Sequence, residues 1–191
     1  MRYRIRGFEV RSENAAKSHH QISHGLATWL SRNVRGGAVL DYGCGRLRYV
    51  QYLARRAEVV GLVDSDVQFD RPFSVGRRLT TVRLEAKRRW PFCRVYSIQD
   101  FLVRGPTERY DFILCANVLS AIPSRRVRSD SLRAIHRSLV PGGQVLVVNQ
   151  HTNSYFTNIR KRPGAIRLLD GWLLPSGGES QLFRHFEKEE G

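Results

Sequence analysis

Asp41-Tyr-Gly-Cys-Gly45 closes a short apolar run, Val39-Leu40, and Asp64 closes a second one, Glu58 to Val63. Glycine has no side chain to collide with a ligand and adopts positive φ, so such a turn brings backbone close to a bound group. A carboxylate at the end of the next strand can accept from both hydroxyls of a ribose. Gly43, Gly45 and Asp64 together therefore predict a site for an adenosine-type ligand. A Gly-x-Gly-x-x-Gly dinucleotide turn would need glycine where Arg48 stands, and Asp41 would face a pyrophosphate unfavourably. No phosphate-loop signature occurs, so NAD, FAD and a phosphate-loop NTPase are all disfavoured.

These residues need elements to hold them, and the chain alternates two kinds. Leu47, Val50, Leu53, Ala54 and Ala57 recur at helical spacing after the glycine turn, predicting a helix whose N-terminus supplies free N–H groups. Further strands are expected at Val95 to Ile98, ending in Gln99-Asp100, at Tyr110 to Cys115, ending in Ala116-Asn117, and at Gln144 to Asn149. Ser124 reads as the cap of a helix carrying Val127, Leu132, Ile135 and Leu139, stopped by Pro141-Gly-Gly143. Strands alternating with helices imply right-handed crossovers and a mostly parallel sheet, with ligands bound beyond its carboxyl ends. Ile22, Leu26, Trp29 and Leu30 suit an amphipathic helix within residues 18 to 33. Ile166 to Leu174 and Gln181 to Phe186 predict a terminal strand pair.

In this order the motifs resemble those of the class I S-adenosylmethionine-dependent methyltransferases, over about residues 37 to 150. Val39 to Gly45 is similar to the family's first motif and Val59 to Asp64 to its ribose-binding strand end. Gln99-Asp100 resembles the adenine-side position, Tyr110 to Asn117 the fourth-strand motif, and Leu139 to Val147 the entry to the fifth. The resemblance implies an α/β Rossmann-like methyltransferase fold: a mostly parallel central sheet, helices on both faces and a C-terminal antiparallel strand pair. It implies S-adenosyl-L-methionine as cofactor, with Asp41 on its ammonium, Gly43, Cys44 and Gly45 against its methionine part, and Asp64 on its ribose. Gln99 or Asp100 then lies near the adenine amine, and Asn117 at the fourth strand end. The family usually has a further glycine where this chain has Leu47, which would narrow the cofactor pocket.

One domain is expected over 1–191: a helical segment 1–36 covering the site, a cofactor-binding core 37–150, and an acceptor-side loop with terminal strands over 151–191. Displacement at a sulfonium requires no dedicated catalytic residue, since the donor is already activated and alignment carries the rate. The catalytic candidates are His151, a potential base, and Asn117; Asn153, Tyr155 and Phe156 would supply an amide and stacking surfaces for a planar acceptor. Cys115 sits where pyrimidine C5-methyltransferases place a nucleophile, but Leu114 replaces the usual proline, and a buried structural thiol is the better reading. His19, His20 and His24 have helical metal-site spacing without a third-ligand motif, and the three cysteines form no Cys-x-x-Cys pair, so no metal is expected.

The chain's 191 residues carry a net charge of +15, from 28 Arg, 4 Lys and 17 acids. Eight basic residues against Glu85 fall between Arg71 and Arg94, with further groups at 125–137 and 160–167. Clustered guanidinium groups suit phosphate, so a nucleic acid or other polyanion is the expected partner and acceptor. A small-molecule acceptor, or an inactive nucleic-acid-binding module, is the alternative. No apolar stretch approaches a membrane span, no leader follows Met1, and a cytoplasmic address is expected. Nothing in the pattern gives an oligomeric state.

Overall fold

The computed structural model describes residues 2–149, 158, 160–168, 171–176 and 179–184. The chain opens with a hairpin, β1 (Arg2–Ile5) and β2 (Phe8–Arg11), then a 3-10 turn at Ser12–Ala15 and helix α1 (His24–Asn33). There follow β3 (Gly37–Tyr42), α2 (Val50–Leu53), β4 (Ala57–Asp64), α3 (Asp66–Asp70) and a small hairpin, β5 (Phe73–Val75) with β6 (Arg78–Thr80). Next come α4 (Val82–Arg89), β7 (Cys93–Ser97), α5 (Ile98–Arg104), β8 (Tyr110–Ala116), a 3-10 turn at Leu119–Ala121, α6 (Arg125–Arg137) and β9 (Leu139–Val148). The last three strands are β10 (Ile166–Leu168), β11 (Gly171–Ser176) and β12 (Glu179–Arg184).

The central sheet runs β7-β4-β3-β8-β9, every pair parallel. Successive strand residues face opposite sides, so β3 divides its apolar residues between two cores. Val39 joins Val60, Leu62, Leu114 and the α1 and α2 residues Leu30 and Leu53 in one; Leu40 and Tyr42 join Ile113, Phe101 of α5 and Ile135 of α6 in the other. A sheet buried on both faces needs near-continuous apolar strands, and β4 and β8 have them. Tyr42 buries its ring wholly because its hydroxyl finds Ser131 on α6 at 2.8 Å.

Several local expectations change. Ser124 does cap α6, accepting from the Val127 N–H at 3.3 Å, but the inward face is Ser131, Ala134 and Ile135, and Leu132 is exposed. Strand β9 starts at Leu139 and passes through Pro141-Gly-Gly143 as a bulge against β8, with Gly142 at φ 77°. Gln99 and Asp100 stand in the first turn of α5, two and three residues beyond the strand end at Ser97, because Ser97 caps that helix through the Asp100 N–H at 3.1 Å.

The N-terminal segment is less helical than expected. Tyr3 and Ile5, then Phe8 and Val10, alternate with polar residues on either side of Arg6-Gly7, both at positive φ. That pattern closes a two-residue hairpin. The C-terminal strand pair becomes a three-strand antiparallel meander, β10-β11-β12, and β12 pairs in parallel with β2 at Ser180↔Val10. The two chain ends therefore share one accessory sheet, β1-β2-β12-β11-β10, with Val10 and Leu173 at its core. No helix among the described residues is long and apolar enough to cross a membrane.

Candidate active site

A cleft of about 370 Å³ opens where β3, β4 and β8 end. The sheet order reverses direction around β3, which is where parallel sheets leave a crevice. Asp41, Gly43, Cys44, Gly45, Asp64 and Asn117 all line it. Its roof comes from the irregular stretch around residues 12–21, which reading the sequence assigned only as helical cover. At the β7 end the lining residue is Ile98; Gln99 and Asp100 are exposed and do not line the cleft. The Asp100 carboxylate instead accepts from the Ser97 hydroxyl at 2.8 Å. His151, with Asn153, Tyr155 and Phe156, lies outside the described residues.

The glycine turn is held by the strand beside it. The N–H groups of Gly43 and Cys44 both donate to the Val63 carbonyl, at 2.7 and 3.1 Å, and the Gly45 N–H donates to Asp64 Oδ2 at 2.8 Å. Gly43, at φ 77°, lies so close to Val118 that a Cβ would fall 2.2 Å from its Cγ2. Glycine is required there on both counts. With these three amides engaged inside the protein, the turn offers a ligand no anion-binding nest. What faces the cleft is a set of both charges, Glu13, Asp41 and Asp64 with Lys17, Arg46 and Arg48.

Asp41 is 3% exposed and its carboxylate accepts no hydrogen bond among the described residues, yet it lines the cleft. Burial, then the neighbouring Asp64 charge, push its pKa up to about 7 against the opposing pull of Arg48. Asp64 has both oxygens engaged once, by Gly45 and by the Ser65 N–H at 2.8 Å. Burial raises it to about 6 despite those two bonds. Each oxygen keeps a lone pair for a further donor. Glu13, buried in the roof, is a third carboxylate on the cleft. A buried carboxylate such as Asp41 is costly unless a cation or donors join it, so the part of the cleft at Asp41 and Asp64 suits a cationic group beside hydroxyls. Its residues fit S-adenosylmethionine: an ammonium for Asp41 and ribose hydroxyls for Asp64.

Leu47 does not narrow this cleft. It keeps the left-handed backbone, φ 61°, that a glycine would adopt, and its side chain is 6% exposed within the α1–α2 core. The backbone there cannot be helical, so α2 begins only at Val50 and the expected free helical N-terminus directly behind the turn is absent. Asn117 also has positive φ, 62°, which asparagine tolerates. Its N–H donates to the Val148 carbonyl at 2.7 Å, its carbonyl accepts from the Ser120 hydroxyl at 3.3 Å, and its side-chain amide makes no hydrogen bond among the described residues. Cys115 is fully buried and its thiol is pushed up to about 12 by burial, which removes it as a nucleophile. Burial likewise holds the Cys44 thiol protonated.

One contributor was missed in the sequence although its signal is present. Ser65-Asp-Val-Gln68 matches a capping box directly after Asp64. Ser65 Oγ accepts from the Gln68 N–H at 3.2 Å, but the Gln68 side chain turns away and donates to the Gly45 carbonyl at 3.1 Å. Gly45 is thus held on both sides of its peptide. Tyr49, buried beside the roof, accepts from the Ser23 N–H at 3.3 Å and ties α1 to the turn.

A family model described as a methyltransferase domain matches residues 15–187. YmfD of Escherichia coli strain K12, an uncharacterized protein, is 35% identical over 158 residues, 82% of this chain and 70% of that one. The ubiquinone biosynthesis O-methyltransferase of Pseudomonas syringae pv. tomato is 28% identical over 86% of this chain and 66% of that enzyme. The chain spans about two thirds of the length of these relatives, 70% and 66%. An S-adenosylmethionine-dependent methyltransferase of Clostridium acetobutylicum superposes with TM-score 0.58 at 12% identity, over 88% of this chain and 77% of that one. CalS10, an amino pentose methyltransferase of Micromonospora echinaspora solved with S-adenosylmethionine, superposes at 0.55 with 16% identity, over 93% and 81%. At these identities the likeness is one of fold.

Proposed function

The chain belongs to the methyltransferase-domain family, the S-adenosylmethionine-dependent enzymes of Rossmann-like fold, and on that premise we propose that its acceptor is a small-molecule hydroxyl or amine rather than a nucleic acid. The observation that carries this reading is the charge balance and size of the cleft. Glu13, Asp41 and Asp64 stand against Lys17, Arg46 and Arg48 in a lining of about 370 Å³, so the reacting centre offers a polyanion no net attraction and has room for a cosubstrate and a small acceptor group. The arginines that suggested nucleic acid are in part engaged within the chain. Of the eight basic residues between Arg71 and Arg94, Arg78 and Arg88 pair with Glu85, Arg83 with Asp66 and Asp70, and Arg94 with Glu108. In the 125–137 group, Arg126 and Arg133 reach Asp130. The ubiquinone enzyme among the relatives, named as an O-methyltransferase, supports the same choice.

Bound in the cleft, the cosubstrate supplies a methyl group activated by its sulfonium. The protein's own work is placement and exclusion of water. Asp41 would hold the ammonium and Asp64 the ribose, each as the ionised form, while Gly43 and Gly45 allow the backbone to approach. The roof at 12–21 closes over them, and Asn117, its amide uncommitted, is placed to orient an acceptor. Alignment of this kind can replace a dedicated base.

Methyl-labelled cosubstrate incubated with the protein and, separately, with dialysable metabolites, RNA and DNA decides the acceptor class. Label in the dialysable fraction is expected. Label in a nucleic acid overturns the proposal.

A further inference from the structure

A second cavity of about 170 Å³ adjoins the cleft, and Arg46 and Arg48 line both. Its wall carries three guanidinium groups, from Arg46, Arg48 and Arg89, and two imidazoles. His19 and His20 lie there with ring centroids 3.7 Å apart and planes tilted by 41°. The one carboxylate in the wall, Glu85, is already taken by Arg88 at 2.7 Å and by Arg78, and those partners hold its pKa down to about 2. Arg46 and Arg89 make no ion pair among the described residues; Arg89 lies over the Trp90 ring at 4.5 Å. The Arg48 guanidinium donates through Nη2 to the Gln21 carbonyl and to the Tyr49 hydroxyl at 3.3 Å, while its Nε is buried with no partner among the described residues. His19 is held below its ordinary pKa by burial and then by His20, Arg46 and Arg89.

We propose that this cavity binds a phosphoryl-type anion and that its occupation tightens binding of the cationic cosubstrate in the adjoining cleft. Convergent guanidinium groups around an uncommitted buried N–H donor are built to receive tetrahedral oxygens. At 170 Å³ the cavity takes one such group and falls below the volumes that hold a whole nucleotide. The coupling follows from position and charge. An anion against Arg46 and Arg48 offsets positive charge that otherwise repels a sulfonium, and it anchors His19 and His20 in the roof segment. Such coupling is reciprocal, so the cosubstrate tightens the anion in turn.

The test titrates inorganic phosphate and phenyl phosphate into the protein, followed by phosphorus NMR, with chloride holding ionic strength constant. Saturable binding is expected, weakened about tenfold by Arg89→Gln and by His19→Gln, as loss of a charge-assisted partner predicts. Phosphate should tighten binding of S-adenosylmethionine, which carries the sulfonium, about fivefold in the unaltered protein and not in Arg89→Gln, as read by calorimetry. Tighter binding of inorganic phosphate than of the ester marks a free ion as ligand; equal or tighter binding of the ester marks a phosphoryl group on a larger molecule. Absence of saturation, or binding unchanged in both variants, overturns the site, and an unaltered S-adenosylmethionine affinity overturns the coupling. Failure of S-adenosylmethionine to bind under any condition counts against the cleft, while the phosphate titration still decides the anion site.

Discussion

The backbone N–H of Gly45 donates to Oδ2 of Asp64 at 2.8 Å, joining two strand ends that are 19 residues apart. The ribose-side carboxylate and the methionine-side turn are therefore one object, and a change in either displaces both. Asp64→Asn, which keeps shape and loses charge, is expected to weaken S-adenosylhomocysteine binding at least about tenfold, the scale of one charge-assisted bond. Gly45→Ala has room at 3.8 Å from Ala16 but must hold φ 54°. It should cost about 1 kcal/mol of stability, the left-handed penalty, with a smaller loss of affinity. Calorimetry and thermal melts together separate the two effects.

The sign of the pH response follows from the raised carboxylates. Asp41 and Asp64, at about 7 and about 6, bind protons more tightly folded than unfolded. Between their unfolded values near 4 and about 7 the folded chain holds more protons, so ligand-free stability falls as pH rises through that window. Cosubstrate binding runs the other way, strengthening toward pH 8 and releasing protons on binding near neutrality. Asp41→Asn should raise the ligand-free melting temperature at pH 8, by on the order of 1–2 kcal/mol of stability, and abolish that proton release. Calorimetry in buffers of different ionisation enthalpy reads it directly.

Gln68 never has to touch the ligand to matter. Its side chain is 1% exposed and holds the Gly45 carbonyl at 3.1 Å. Gln68→Ala should weaken cosubstrate binding about three- to tenfold, the worth of one hydrogen bond of about 1 kcal/mol. Gln68→Glu places an acceptor against a carbonyl and should be worse. An affinity equal to the parent's in both variants removes Gln68 from the site.

Leu47→Gly sets backbone strain against burial. The buried side chain stands to lose about 2–3 kcal/mol, more than relief of the φ 61° conformation returns. A net loss of stability with unchanged S-adenosylhomocysteine affinity is expected. A gain in affinity would show that Leu47 does restrict the cleft.

Cys115→Ala should retain methyl transfer, at a stability cost of about 1 kcal/mol for a small buried side chain. The native thiols of Cys44 and Cys115 should resist alkylation until unfolding, as buried groups. Loss of transfer in folded Cys115→Ala protein would restore the thiol to the chemistry.

The sequence carried the parts of this protein that depend on neighbours a few residues apart. Each apolar run ended by a polar residue, the Ser124 cap and the glycine turn bear their own local signature, and Asp41, Gly43, Cys44, Gly45, Asp64 and Asn117 come together as strand ends must in a parallel sheet. The hairpin around Arg6-Gly7 and the Ser65–Gln68 pair were legible too, in alternation and in cap spacing. Tertiary structure alone decided what depends on residues far apart in the chain. Leu47 reads as an obstruction until its buried place in the α1–α2 core is known, and the arginines read as three basic patches until the carboxylate partners of several are seen. The union of β2 with β12, the roof laid by residues 12–21 and the charges that meet in the cleft follow from distant contacts. Local periodicity reports which face of an element is apolar, but desolvation and pairing energies are set by whatever packs against that face, and no spacing rule records it.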